Sequence, residues 1–261
     1  MTARHKGVAK LWLLNLVGNA ALWAGIYCFV VLPDARRWQV AGSALLALAI
    51  IFWGFWLRAG SFAYFRVADF RDVGCVWRAY RHGLRNILPL ALLAVPLTAL
   101  EWLLYSCLQY APQFGVWFWQ KAPVLRLGSP RTIFHLAAWL VWIVMAVLGA
   151  LWLPVAITVA AAGLKTASMV RSCRLLKRPS YWLWWCALAF VGGYLPYKLV
   201  WWIPKLDTLR GQAWSAGLRF ALAYLLLISA WIALWLVIGD RLSEIDPLAL
   251  ETAHVKNGPT S

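Results

Sequence analysis

The chain contains apolar runs too long and too pure for a water-soluble core. Residues 11–32, 39–57, 87–111, 133–163, 181–203 and 220–239 each carry few polar side chains. A helix rising about 1.5 Å per residue needs roughly 20 such residues to cross about 30 Å of hydrocarbon. In lipid each backbone N–H and C=O must be satisfied within the segment, which a helix does by itself. The short alternating strands of a barrel are absent from the sequence. The expected fold is all-α: a polytopic transmembrane helical bundle of about six spans, one domain over residues 1–239, with a polar tail over 240–261. Composition agrees, since 63% hydrophobic and 13% charged residues leave too little polar surface to cover a soluble globule.

The first run follows Arg4, Lys6 and Lys10. It resembles the start of a signal peptide, but it is too long and has no clean small-residue cleavage site. It reads as an uncleaved signal anchor. The segment from Arg58 to Asn86 places Phe62, Phe65, Phe70, Val73, Trp77, Tyr80 and Leu84 mostly three or four apart, with arginines between them. That spacing predicts an interfacial amphipathic helix, its aromatic face in the headgroup boundary and its basic face toward water. A shorter piece of the same kind is expected over Pro204 to Leu218. Residues 112–132 read as a loop. The fifth run holds Gly192-Gly193 and Pro196, so it is either one crossing or a re-entrant hairpin.

Charge orients the spans. With six crossings, 16 of the 25 Lys and Arg fall on one side and 8 on the other. The positive-inside rule then places both termini in the cytoplasm of a plasma (inner) membrane protein. Five crossings would move the C-terminus out. Eleven of the 20 tryptophans lie at span ends, where indoles prefer to sit, which supports the boundaries. The net charge of +16 sits in short loops, so anionic lipid on the cytoplasmic side is the expected partner and nucleic acid is not. The candidate lipid contacts are Arg66, Arg71, Arg78, Arg81, Arg85, Arg171, Arg174, Lys177 and Arg178. A membrane-protein partner or a second copy of the chain is the other expected contact.

Polar residues inside apolar spans are costly and mark sites. Glu101 lies 14 residues into its run, roughly 21 Å deep, and Lys198 lies 17 residues in, roughly 25 Å. An ion pair between them would remove both penalties; the alternatives are a Lys198 that snorkels outward and a proton or substrate site at Glu101, with His135 at the outer end of the fourth run. Asn15 and Asn19, four apart, share one helix face and are expected to hydrogen-bond a neighbouring helix. These five residues form the candidate intramembrane polar path.

A weak internal match aligns Gly83-Leu84-Arg85 with Gly217-Leu218-Arg219 and sets Trp235 against Glu101. If it is a true repeat, six crossings make it inverted, as in many transporters. The five cysteines have neither CxxC nor paired spacing; Cys28 and Cys107, both near outer span ends, read as packed apolar thiols, with a bridge between them as the alternative. There is no HExxH, Walker or Rossmann pattern and no pair of facing histidines inside spans. Catalytic residues, cofactor and metal are accordingly not assigned. The leading expectation is a non-enzymatic accessory or scaffold protein acting through lipid or protein partners. A small secondary transporter follows, and a lipid-modifying enzyme is third.

Overall fold

The computed structural model describes residues 3–32, 36–121, 129–205 and 208–246. All regular structure among them is helical: α1 (Ala3–Val31), α2 (Arg37–Arg66), α3 (Ala68–Asp72), α4 (Val76–Leu84), α5 (Ile87–Lys121), α6 (Pro130–Ala162), α7 (Thr166–Ser172), α8 (Pro179–Ala189), α9 (Leu195–Trp201) and α10 (Leu209–Ile245). A 3-10 turn over Cys173–Lys177 follows α7, and a π-helical turn over Phe190–Tyr194 joins α8 to α9. Six helices are long and apolar enough to cross a membrane: Arg4–Val31, Arg37–Arg66, Ile87–Tyr110, Arg131–Ala162, Pro179–Trp201 and Leu209–Ile245.

Several boundaries differ from expectation. The second span does not stop at Leu57: α2 runs on to Arg66, and residues 59–66 are all buried. The single interfacial helix expected over Arg58–Asn86 is therefore three pieces, the end of α2, then α3, then α4. Its aromatic face is split. Phe62, Phe65 and Tyr80 are buried against protein, while Val73, Trp77 and Leu84 point outward. The expected loop after residue 111 is helical through Lys121, because 114–119 is as apolar as the span before it. The piece from Leu209 to Leu218 is the start of α10, opened by Thr208 Oγ1 accepting from the Gly211 N–H at 3.1 Å.

The fifth run is helical as far as Trp201, with no hairpin. Gly192 is a contact point, since a Cβ there would lie 2.7 Å from the Ala230 Cβ of α10. The π turn absorbs an extra residue without breaking the helix. The tail begins later than expected, because α10 continues to Ile245 and Asp246 is buried. The remainder of the expected tail, 247–261, lies outside the described residues, as do 33–35 of the first turn. All five cysteines are free, and all but the half-buried Cys75 are exposed rather than packed.

The chain divides into two compact units, one made of Met1–Leu90 with Pro154–Ser261, the other of Ala91–Leu153. The second unit consists of the body of α5 and the first two-thirds of α6. It exposes the large apolar side chains of Trp102, Leu103, Trp139, Leu140 and Ile143.

In the first unit the core gathers at the end where α1 begins and α2 and α10 finish. Leu57, Phe62, Phe65, Tyr80, Leu234, Ile238 and Leu242 are all at most 2% exposed. Two glycines permit this packing. A Cβ on Gly83 of α4 would lie 2.6 Å from the Ala59 carbonyl carbon, and one on Gly239 of α10 would lie 2.5 Å from the Phe65 carbonyl oxygen. At the end of α6, the Asn86 Nδ2 donates to the Ala160 carbonyl at 2.9 Å and the His82 Nε2 to the Ala161 carbonyl at 2.7 Å. Those side chains satisfy carbonyls that a helix C-terminus leaves open.

Candidate functional site

The first unit holds two polar layers. The outer layer is ionic and lies at the end of α10. Asp246 meets Arg66 at 3.5 Å and Arg171 at 3.4 Å, and Asp240 meets Arg4 at 2.8 Å and also pairs with Arg71. Glu244 pairs with Arg178 at 2.9 Å. Four of the nine candidate lipid contacts are therefore held by acids within the protein, and two of them, Arg66 and Arg71, are buried at 2% and 7% exposure. The correction has a simple cause. Helix α2 continues past Arg58 and carries Arg66 inward, where three carboxylates clustered on one end of α10 attract these cations. Arg78, Arg81, Arg85, Arg174 and Lys177 are exposed. On α4 the Arg81 guanidinium lies over the outward Trp77 ring at 5.9 Å.

The inner layer starts from Asn15. Its Nδ2 donates to the Ser61 hydroxyl at 2.9 Å, and Ser61 Oγ is 3.0 Å from the Tyr80 hydroxyl. All three side chains are completely buried. Burial disfavours the phenolate, so the Tyr80 hydroxyl is pushed up to about 12 against the hydrogen bond from Ser61 and the field of Arg58. One turn further along α1, Asn19 Oδ1 accepts from the Arg58 Nη2 at 2.7 Å. The Arg58 guanidinium also lies 5.2 Å from the centre of the Trp235 ring, within range of a cation–π contact.

Beside Arg58 is a cavity of about 150 Å³. Helix α1 contributes Asn15, Asn19 and Trp23 to its wall, and α10 contributes Tyr224, Trp231 and Trp235 with Leu227, Ile228 and Ile232 between them. The Tyr224 hydroxyl is spent on the Leu16 carbonyl. Trp23 is 63% exposed, so the cavity reaches the outer surface of α1. Two features are chemically unbalanced. Among the described residues no carboxylate pairs with Arg58, and Asn15 Oδ1 is buried with no donor. The cavity wall thus includes a residue with an uncompensated cation and a residue with an unfilled acceptor.

The five expected polar-path residues are divided between the two units. Asn15 and Asn19 turn to α2. Glu101, half-buried, and His135, exposed beside the Phe134 ring at 5.1 Å, belong to the second unit. Lys198 belongs to the first unit, is exposed, and lies 5.5 Å from the centre of the Tyr194 ring. Arg58 and Tyr224 were missed in the sequence. Arg58 follows directly on an apolar run and reads there as the first charge of a loop. Tyr224 has no local signal at all. Among the described residues no three metal-ligating side chains cluster. Comparison with protein-family models, curated proteins and solved structures finds no match for this chain.

Proposed function

We propose that this is a non-enzymatic integral protein of the plasma (inner) membrane, with both termini in the cytoplasm, that acts through anionic lipid at its basic end. One observation carries the reading. The acids of that end, Asp240, Glu244 and Asp246, are engaged by Arg4, Arg66, Arg71, Arg171 and Arg178. Arg78, Arg81 and Arg85 nevertheless stay exposed beside outward Trp77, Val73 and Leu84. Apolar side chains that enter the headgroup boundary next to cations that meet phosphate are what an interfacial helix needs. Each such cation is worth about 1 kcal/mol at an anionic surface.

The test uses the purified protein in mixed phosphatidylcholine and phosphatidylglycerol nanodiscs. The triple variant Arg78→Gln, Arg81→Gln, Arg85→Gln should retain fewer phosphatidylglycerol molecules after extraction, counted by native mass spectrometry. Unchanged retention would refute the reading. The second reading is a small transporter, favoured by a cation set inside an apolar region, Arg58, rather than by Glu101 and Lys198. Uptake into proteoliposomes tests it.

A further inference from the structure

The cavity at Arg58 has the chemistry of a binding site rather than of a packing defect. We propose that it takes the oxyanion of a lipid amphiphile, a carboxylate or a phosphate, entering from the bilayer past Trp23. The inference shares with the proposed function only the placement in a membrane. It involves none of the outward arginines of α4.

The first argument is position. Leu57 of α2 packs on Gly18 of α1, whose Cβ would lie 3.0 Å from it. Arg58 thus sits about a third of the way into the first apolar run, about 10 Å beyond Leu11 at the helical rise. A guanidinium at such a depth is expensive unless paired. Its described partners are neutral, the Asn19 amide oxygen and the Trp235 face. Both favour the cation, but neither cancels its charge. An oxyanion does, and the planar fork of arginine matches it in two-pronged geometry.

The second argument is the acceptor. Asn15 lines the same cavity, and its Oδ1 is buried and lacks a donor. A buried polar atom without a partner costs stability, so a phosphate that keeps one O–H beside its anionic oxygens can serve both Arg58 and Asn15, whereas a carboxylate serves Arg58 alone. The third argument is size and wall chemistry. The cavity, about 150 Å³, is several times the roughly 30 Å³ that one water occupies in the liquid. It admits a headgroup of a few heavy atoms. Leu227, Ile228 and Ile232 suit the methylenes that follow.

Binding to the full-length protein in neutral detergent decides the matter, using native mass spectrometry with 12-carbon probes. Dodecanoate or dodecyl phosphate should bind one per chain. Dodecanol and dodecyltrimethylammonium, with the same tail, should bind at least tenfold more weakly. Arg58→Gln should weaken the bound oxyanion at least tenfold, Arg58→Lys less. The triple α4 variant should bind like the parent, which separates this site from the outer lipid surface. Binding of the carboxylate alone identifies a free fatty acid as the natural source, and binding of the phosphate alone identifies a phospholipid headgroup. The site is overturned if neither oxyanion binds, if Arg58→Gln binds like the parent, or if the α4 variant loses binding. Should Arg58→Gln fail to fold, the four probes on the parent protein are sufficient, since equal binding of dodecanol overturns the site unaided.

Discussion

Arg66 and Asp246 are 180 residues apart in sequence, yet both are 2% exposed and their charged groups meet at 3.5 Å. The Arg66 Nη2 also donates to the Asp246 backbone carbonyl at 3.2 Å. This pair joins the end of α2 to the end of α10. Removing one member of a buried pair leaves the other charge without compensation, whereas removing both is often tolerated.

Asp246→Asn should therefore lower stability by about 3–5 kcal/mol, measured by thermal or denaturant unfolding in detergent. The double variant Arg66→Met, Asp246→Leu should recover most of that loss. Glu244→Gln, whose partner Arg178 is half exposed, should leave the melting temperature nearly unchanged. If Asp246→Asn is equally silent, the buried pair does not hold the two helices together.

Tyr80 supplies a signature at high pH. Its hydroxyl is raised to about 12 by burial, above the ordinary 10.0 that it regains on unfolding. The folded state binds this proton more tightly. The resulting stabilisation is complete below pH 10 and disappears as pH climbs from 10 through 12. Two pH units correspond to about 3 kcal/mol at most. Stability of the parent should fall across that window, and Tyr80→Phe should remove this share of the fall. The substitution itself should cost about 1 kcal/mol at neutral pH, through the loss of the Tyr80–Ser61 hydrogen bond.

Gly83 and Gly217 occupy equal places in the Gly-Leu-Arg match but not in the fold. A Cβ at Gly83 meets the α2 backbone, whereas at Gly217 it meets nothing within 4 Å. Gly83→Ala should destabilise by roughly 1–3 kcal/mol, as overpacking does. Gly217→Ala should be neutral or stabilise by up to about 1 kcal/mol, because alanine is the better helix former. Equal effects in unfolding experiments would mean that the α2 contact at Gly83 does not constrain the side chain there.

The Arg4–Asp240 ion pair puts the start of α1 and the end of α10 on one side. If the helices span a bilayer, that requires an even number of crossings. Reporters fused to the N-terminus and to the C-terminus should thus report the same compartment, and opposite compartments would rule out six spans. Arg4→Ala should not change the result, since it removes an exposed pair only.

Hydropathy made the six long helices legible, because a lipid-spanning segment is local information: length, apolar content and the indoles at its ends. Where each helix stopped was less legible. A charge after an apolar run normally marks the exit to water, so Arg58 read as the end of α2. Instead α4 and α10 cover that end, and Ala59 to Arg66 continue the helix against protein. The same confusion placed Arg66 and Arg71 on the lipid surface. Sequence alone cannot distinguish an arginine facing headgroups from one facing an aspartate 169 or 180 residues away.

The Asn15–Asn19 spacing already implied one polar helix face turned toward a neighbour. It could not say which neighbour. Arg58 is 39 residues from Asn19, and the Tyr224 hydroxyl reaches the Leu16 carbonyl across 208. The run of residues determined that the chain is helical, apolar over six long stretches, and basic between them, because helix propensity and hydrophobicity act within a few turns. The tertiary structure alone decided which polar groups share a cavity and which cations are already neutralised. Those relations depend on distance in space, and Coulomb attraction and hydrogen bonding ignore separation along the chain.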